Sequence, residues 1–312
     1  MIRMASMNVA ETIPMTGESI PDTPPLSLQK MVWLRFCRHK MAMFGAVTLI
    51  LLVIYCFGGA LFFPETEANS TDISASLMAP SVDHPFGTDM IGRDILRRTI
   101  YGGQISLIIG LTSAFLMVSI GVIIGSIAGF FGGWVDSVLM RITEAMISIP
   151  RIFLLLVMAK FFSDKFPDIV FAGRTFSGSV VGIILMIAMT SWMDLARIVR
   201  AQYMSLKQND FVTAARATGT STWEIIFKHI LPNTIAPVVV AATLGVASAI
   251  LGESYISFLG MGVMPPTATW GNMLERSYTY IETSPWFWIF PSFFILLIIL
   301  SINFVVDGLR DS

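Results

Sequence analysis

From residue 286 to residue 306 the sequence reads WFWIFPSFFILLIILSINFVV, without one charged side chain. A helix of roughly 20 apolar residues crosses a bilayer core of about 30 Å. Inside lipid each backbone amide must be satisfied within its own segment, so such a stretch is restricted to helix. Comparable apolar stretches lie at 41–63, 104–131, 146–162, 180–196 and 234–255. The chain therefore reads as an all-α polytopic membrane protein with about six transmembrane helices. Composition agrees: 54% of residues are hydrophobic and only 13% charged, where a soluble domain carries about 25% charge. A net charge of −1 leaves no electrostatic footprint for nucleic acid. Cys37 and Cys56 are too few for a disulfide framework.

These spans divide the chain into an N-terminal tail and interfacial segment (1–40), a first span (41–63), an outer loop (64–103), a five-helix core (104–306) and a short C-terminus (307–312). The stretch through Pro25 is polar and lacks the apolar centre of a secretory signal. Lys30, Arg35, Arg38 and Lys40 precede the first span, whereas Glu65, Glu67 and Asp72 follow it. Basic residues remain on the cytoplasmic side, so both termini are expected there. The long polar loop at 203–232, inside the core segment, is then cytoplasmic as well.

That loop is organised. Phe211, Ala214, Ala215 and Thr218 repeat at i, i+3, i+4, i+7, one narrow helical face. Asp210 is placed as N-cap and Gly219 as a left-handed terminator. Ser221 and Glu224 have capping-box spacing, and Trp223, Ile226, Phe227 and Ile230 form a second stripe. Pro232 is expected to break this helix before the fifth span. The pattern fits a helix–turn–helix that packs one stripe on its own core and offers small residues to a partner, or an amphipathic segment lying on lipid.

Several motifs carry a family resemblance. Ala214-Ala215, Gly219 and Leu231-Pro232 resemble the EAA…G…LP loop of the membrane subunits of ABC importers. HPFGTDMIGRDILRRTIYGGQISLIIG (84–110), SWMDLARIVRAQYMSLK (191–207), FLGMGVMPPTATWGNML (258–274) and DGLRD (307–311) are similar to the oligopeptide/dipeptide/nickel permeases, in particular the second of their two permease chains. The resemblance implies a type I ABC importer permease fold in a bacterial or archaeal inner membrane. It implies as partners a homologous second permease, two ABC ATPase subunits, an external solute-binding protein and membrane lipid. Peptides are the implied cargo, with nickel or another small solute as the alternative within the same architecture. The loop becomes the coupling segment held by the ATPase, with Asp210, Phe211, Thr213, Ala214, Ala215, Thr218, Gly219, Ser221 and Glu224 at or beside the contact. Thr213 stands where the family motif has Glu, which removes one acidic contact; His229 stands where the broad motif has Ile. ATP and Mg2+ are assigned to the partner subunits. No G-x-x-x-x-G-K-[ST] occurs and no Lys follows a Gly, so this chain is expected to be no enzyme and to hold no cofactor or metal.

Other features remain open on sequence grounds. Gly121, Gly125, Gly129 and Gly133 form a small-residue face for a close helix neighbour, in this chain or in a sister permease. Arg151, inside the third span beside Pro150, is a candidate for the translocation path, with snorkelling or a Glu144 pair as the alternative. Glu253, near the far end of the fifth span, is a second path candidate, or an interfacial residue in water. Asp194 and Arg197 have i, i+3 pairing distance. His84, Asp83 and Asp89 make an incomplete metal set beside what otherwise reads as a turn and N-cap. Trp270, Trp286 and Trp288 are expected in an interfacial belt. A self-sufficient secondary transporter or channel is the rival from another class; it calls for internal inverted repeats, which the sequence does not display. An intramembrane enzyme finds no HExxH, G-x-S-x-G or paired acids in the spans.

Overall fold

A computed structural model describes residues 28–311 except 163–164 and 172–173. The polar stretch through Pro25 and Ser312 lie outside the described residues. The described elements in chain order are α1 (Leu28–Arg38), α2 (Lys40–Val53), α3 (Glu65–Asn69), α4 (Ile95–Phe131), α5 (Gly133–Ile147), α6 (Arg151–Phe162), β1 (Ile169–Phe171), β2 (Arg174–Phe176), α7 (Gly178–Met189), α8 (Met193–Leu206), α9 (Asp210–Ala217), α10 (Thr222–Glu224), α11 (Ile235–Phe258) and α12 (Trp286–Arg310). Four helical stretches are long and apolar enough to cross a membrane alone, and six if two bent pairs each count as one span.

The bends revise the third and fourth spans. α5 and α6 meet at 92°, because Pro150 has no N–H for the ladder and biases its predecessor out of the helical region. α6 has 12 residues, about 18 Å of helix, too short to cross the bilayer core on its own. α7 and α8 meet at 40°. There Thr190 turns its hydroxyl back on the Met186 and Ile187 carbonyls at 2.9 and 3.3 Å, a bond that bends helices. The first span is shorter than expected. α2 relaxes into a π turn over Ile54–Gly58, and Gln104 Nε2 donates to the Cys56 carbonyl at 2.6 Å. The expected outer loop yields residues 95–103 to α4, which is capped by Asp94 accepting from the Arg97 amide at 2.9 Å. The departures from all-helical structure among the described residues are the antiparallel hairpin β1–β2 and an isolated β-bridge between Thr88 and Asp94.

α4 is the spine. At 37 residues it is roughly 55 Å long, and it packs against α8, α11, α7 and α5, while α12 packs on α2 and α11. The glycine face is resolved by contact. A Cβ on Gly121, Gly125 or Gly129 would come within 3.0 Å of α8, against Leu195, the Ala196 carbonyl and Tyr203 respectively. These three glycines therefore serve packing within the chain. Gly133 has nothing near and takes φ +54, so the fourth repeat is part of the turn after α4. Lys207 Nζ, at the end of α8, donates to the Gly129 carbonyl at 2.9 Å and closes the C-terminal turn of α4.

Trp270 is not an interfacial residue. It is fully buried, its indole N–H donates to the Thr99 carbonyl at 2.9 Å and its ring stacks on Phe294. Gly102 and Gly103 in α4 make room: a Cβ on Gly103 would sit 2.6 Å from the Trp270 ring. The loop after α11 thus folds back into the bundle instead of lying on its rim. Trp286 and Trp288 are half-buried beside it.

Candidate functional site

The polar loop folds as a hairpin of two short helices braced on the bundle. α9 starts one residue earlier than expected: Asn209 is the cap position, without a side-chain bond, and Asp210 is the first helical residue. It ends as expected. Gly219 takes φ +81, the Gly219 amide donates to the Arg216 carbonyl at 3.0 Å, and the Thr220 amide donates to the Ala215 carbonyl at 3.1 Å. This pair of bonds is a Schellman motif, which needs a left-handed residue at that point. The second helix opens with the capping box. Ser221 Oγ accepts from the Glu224 amide at 3.3 Å, and Glu224 adds an ion pair to Lys228 at 2.7 Å.

The stripes divide differently from the sequence expectation. Val212 and Ala215 of α9 face inward, while Phe211, Thr213, Ala214 and Thr218 are exposed. From the second helix Ile225, Ile226 and Ile230 are buried, whereas Trp223 and Phe227 are exposed and stacked on each other. The inward residues join Leu195, Val199 and Tyr203 of α8 in one apolar cluster. Tyr203 is fully buried and donates its hydroxyl to the Ile226 carbonyl at 3.0 Å. Val212, Ile225 and Tyr203 were not legible as a set. Neighbouring positions on so short a helix offer two faces of similar polarity, and Tyr203 belongs to another element.

Pro232 does not break the second helix. The chain stays helical from Thr222 to Phe258 through a π turn at Ile225–Ile230 and a 3-10 turn at Leu231–Thr234. The change of pitch absorbs the amide that proline lacks. Asn233 Nδ2 donates to the His229 carbonyl at 2.7 Å, and Thr234 Oγ1 donates to the Leu231 carbonyl at 2.8 Å. The hairpin is consequently continuous with α11.

The bends create a second polar region. Arg151, the first residue of α6, is exposed and donates from Nη2 to Ser191 Oγ at 3.0 Å, tying one kink to the other. Glu144 is instead 3.7 Å from Arg141. Asp194 and Arg197 do not pair with each other; with Glu144 and Arg200 they line an open cleft of about 580 Å3 between α5 and α8. Arg200 closes one wall by a two-pronged bond to Asp136.

Glu253 is fully buried. Its Oε1 accepts from Ser257 and Thr269 hydroxyls, each at 2.6 Å. Ser257 Oγ in turn accepts from the Val263 amide, and Thr269 Oγ1 from the Asn272 amide. Glu253 thus sits in the middle of the bonds that fold residues 261–272 onto α11, away from open space. At the same end, His84 Nδ1 contacts Asp94 Oδ2 at 2.9 Å, and Asp89 is engaged by the Arg93 amide and guanidinium. The turn-and-cap reading of 83–98 holds, and these acids are not gathered round a common point.

The sequence profile described as binding-protein-dependent transport system inner membrane component matches residues 121–312, and that of the N-terminal TM domain of oligopeptide transport permease C matches residues 27–80. The oligopeptide transport system permease protein of Haemophilus influenzae is 40% identical over 280 residues, covering 89% of this chain and 85% of that protein. Its Bacillus subtilis namesake is 37% identical over 287 residues, covering 92% and 89%. The dipeptide transport system permease protein of the same organism is 36% identical over 291 residues, covering 93% and 86%. An inward-facing structure of the MetNI methionine ABC transporter aligns with a TM-score of 0.50 at 20% identity, over 67% of this chain and 93% of that chain. At that identity the likeness concerns the fold.

Proposed function

This chain belongs to the binding-protein-dependent transport inner membrane components, the permease subunits of ABC importers, and has their type I fold; from that premise we propose that it conducts oligopeptides or dipeptides. Relatives named for oligopeptide and dipeptide transport support the cargo. The partners are a homologous permease, two ATPase subunits that bind ATP and Mg2+, and an external solute-binding protein. The hairpin of α9 and α10 faces the cytoplasm, and both termini lie on that side.

One observation carries the coupling role: the hairpin is polar outside, apolar inside and continuous with a membrane-spanning helix. Its inner face is held to α8 by Val212, Ala215, Ile225, Ile226 and Ile230. Burying an isoleucine out of water stabilises by about 1.5–3 kcal/mol, so several together make the hairpin a firm part of the bundle. The outer face presents Phe211, Thr213, Ala214, Thr218, Ser221 and Glu224. Ala214 has no side chain beyond Cβ, which permits close approach by a groove on the ATPase. Displacement of the seated hairpin is passed to α11 along the helix and to α8 through Tyr203. Binding of the ATPase must differ between two permease states for this to drive transport. The polar cleft at the two bends, with Arg151 beside it, is the proposed half of the solute path contributed by this chain. Glu253 is reassigned from the path to the anchoring of the loop that follows α11.

A cysteine at Ala214, in a chain whose exposed Cys37 is replaced by serine, tests this reading. The expected result is a disulfide to a cysteine placed in the groove of the co-purified ATPase subunit, its yield changing with ATP. No cross-link to any ATPase position, or a purified chain that transports without one, rejects it.

A further inference from the structure

Arg98 is the one cation among the described residues that the fold buries, at 3% exposure. It lies in the first turn of α4, at the end of the bundle opposite the hairpin. Its hydrogen bond runs from Nη1 to the neutral amide of Asn69, Oδ1, at 3.3 Å. No carboxylate among the described residues stands within ion-pair distance of it. Asp89 acts on it through space, but that carboxylate is already engaged. Its Oδ1 accepts from the Ile91 and Arg93 amides at 3.0 and 2.9 Å, and its Oδ2 accepts from Arg93 Nε at 2.6 Å. A buried, unneutralised guanidinium is costly unless something pairs with it.

Arg98 lines a pocket of about 240 Å3 with Asp89, Arg93, Asn272, Glu275 and Arg276. Arg276 is exposed and holds φ +60, a left-handed backbone uncommon for a residue with a side chain. Its contact with Glu275 is long, 3.9 Å. Three guanidiniums therefore face two carboxylates, one of which is fully used. The excess is positive, and its donors form the planar fork that matches a carboxylate.

We propose that this pocket receives one acidic side chain of the external solute-binding protein and so fixes the docked register of donor on permease. The inference rests on the importer reading, which puts this end of the bundle outside. Size favours a side chain over the solute: the volume lies below the roughly 300–1,000 Å3 of small-molecule pockets. Its walls come from the turn before α4, from Arg98, from the loop between α11 and α12 and from the start of α12, all at the end of the bundle opposite the hairpin. The family description itself names the transport system as binding-protein-dependent.

The test uses the whole permease–ATPase complex in nanodiscs, titrated with its solute-binding protein at two ionic strengths, alongside basal ATP hydrolysis. Arg276→Glu is expected to slow association and flatten the salt dependence, and to weaken the affinity about tenfold or more. Arg98→Gln is expected to raise the dissociation rate by about tenfold or more. An acid-to-arginine change on the binding protein should restore Arg276→Glu specifically. If Arg98→Gln does not assemble, Arg276→Glu at an exposed position decides. Wild-type affinity and salt slope in the Arg276→Glu complex overturn the proposal. So does a free dipeptide that binds the complex in an Arg276-dependent way without the binding protein, or loss of the second permease in the Arg276→Glu variant. Failure of the importer reading would look different: no ATPase subunit and no basal hydrolysis would accompany the wild-type chain.

Discussion

Gly219→Val isolates the hairpin turn from everything around it. A Cβ at Gly219 meets nothing within 4 Å, yet the residue holds φ +81. The penalty is therefore backbone strain alone, about 1–2 kcal/mol for an L side chain in the left-handed region, with β-branching at the upper end. That is small beside the packing of the bundle, so membrane insertion and yield should be unchanged. It is large for a turn: 1–2 kcal/mol shifts a two-state ratio roughly 5–30-fold. The Schellman bonds from the Gly219 and Thr220 amides would open, and α9 would lose its fixed angle to α10. Peptide-stimulated ATP hydrolysis by the assembled complex should fall several-fold or more, with basal hydrolysis retained. The series supplies the control. Asn tolerates the left-handed region, so Gly219→Asn should stay near wild type, Gly219→Ala should be intermediate and Gly219→Val lowest. Equal coupling across all three would refute the claim that a rigid turn transmits the motion.

Gly125→Leu should damage the bundle itself. Its Cβ would stand 2.5 Å from the Ala196 carbonyl and 2.8 Å from Val199, and overpacking of this kind costs about 1–3 kcal/mol or more; a lower thermal midpoint in detergent measures it, and an unchanged midpoint would remove the α4–α8 packing claim. Glu253→Ala should strand two buried hydroxyl groups at about 1–3 kcal/mol, exposing residues 261–272 to limited proteolysis, whereas Glu253→Gln should protect them. Equal protection in both variants would contradict the anchor. Arg151→Ala should lower peptide uptake while leaving basal ATP hydrolysis intact, and Arg151→Lys should recover part of it; full uptake by Arg151→Ala would take this residue off the proposed path.

Apolar length made the spans legible, and cap chemistry made the hairpin legible. Gly219, the Ser221–Glu224 box and the Asp94 cap are local devices whose partners lie within a few residues, so spacing alone predicts them. What the sequence hid was set by contacts across the fold. Pro150 and Pro232 are the same residue type inside apolar or helical pattern, yet one accompanies a 92° bend and the other leaves the helix continuous. The difference lies in neighbours: after Ile225 the chain widens to a π turn, with Asn233 and Thr234 filling freed carbonyls. Trp270 likewise reads as an interfacial aromatic until Gly102 and Gly103, far away in sequence, are seen to open a slot for it. Glu253 is polar at the edge of a span in both readings, and its bonds to Ser257 and Thr269 distinguish a path residue from an anchor.

The proposed lever needs stiffness in one place and compliance in another, and the two are separated in this fold. Stiffness is concentrated where the hairpin meets the bundle. Helix continues unbroken into α11, Tyr203 bonds the Ile226 carbonyl, and Lys207 clamps the end of α8 to the last turn of α4. Three glycines let α8 lie directly against α4 over its length, so a push on the hairpin moves these helices together. Compliance lies at the two kinks. There α6 and α7 meet their neighbours at an angle, and the exposed Arg151–Ser191 hydrogen bond joins one kink to the other. A solvent-accessible hydrogen bond of this kind is worth about 0.5–1.5 kcal/mol, low enough to break in a transition between two states. Motion entering as a rigid displacement at the hairpin would therefore leave as a change of angle at the kinks, beside the polar cleft through which a peptide would pass.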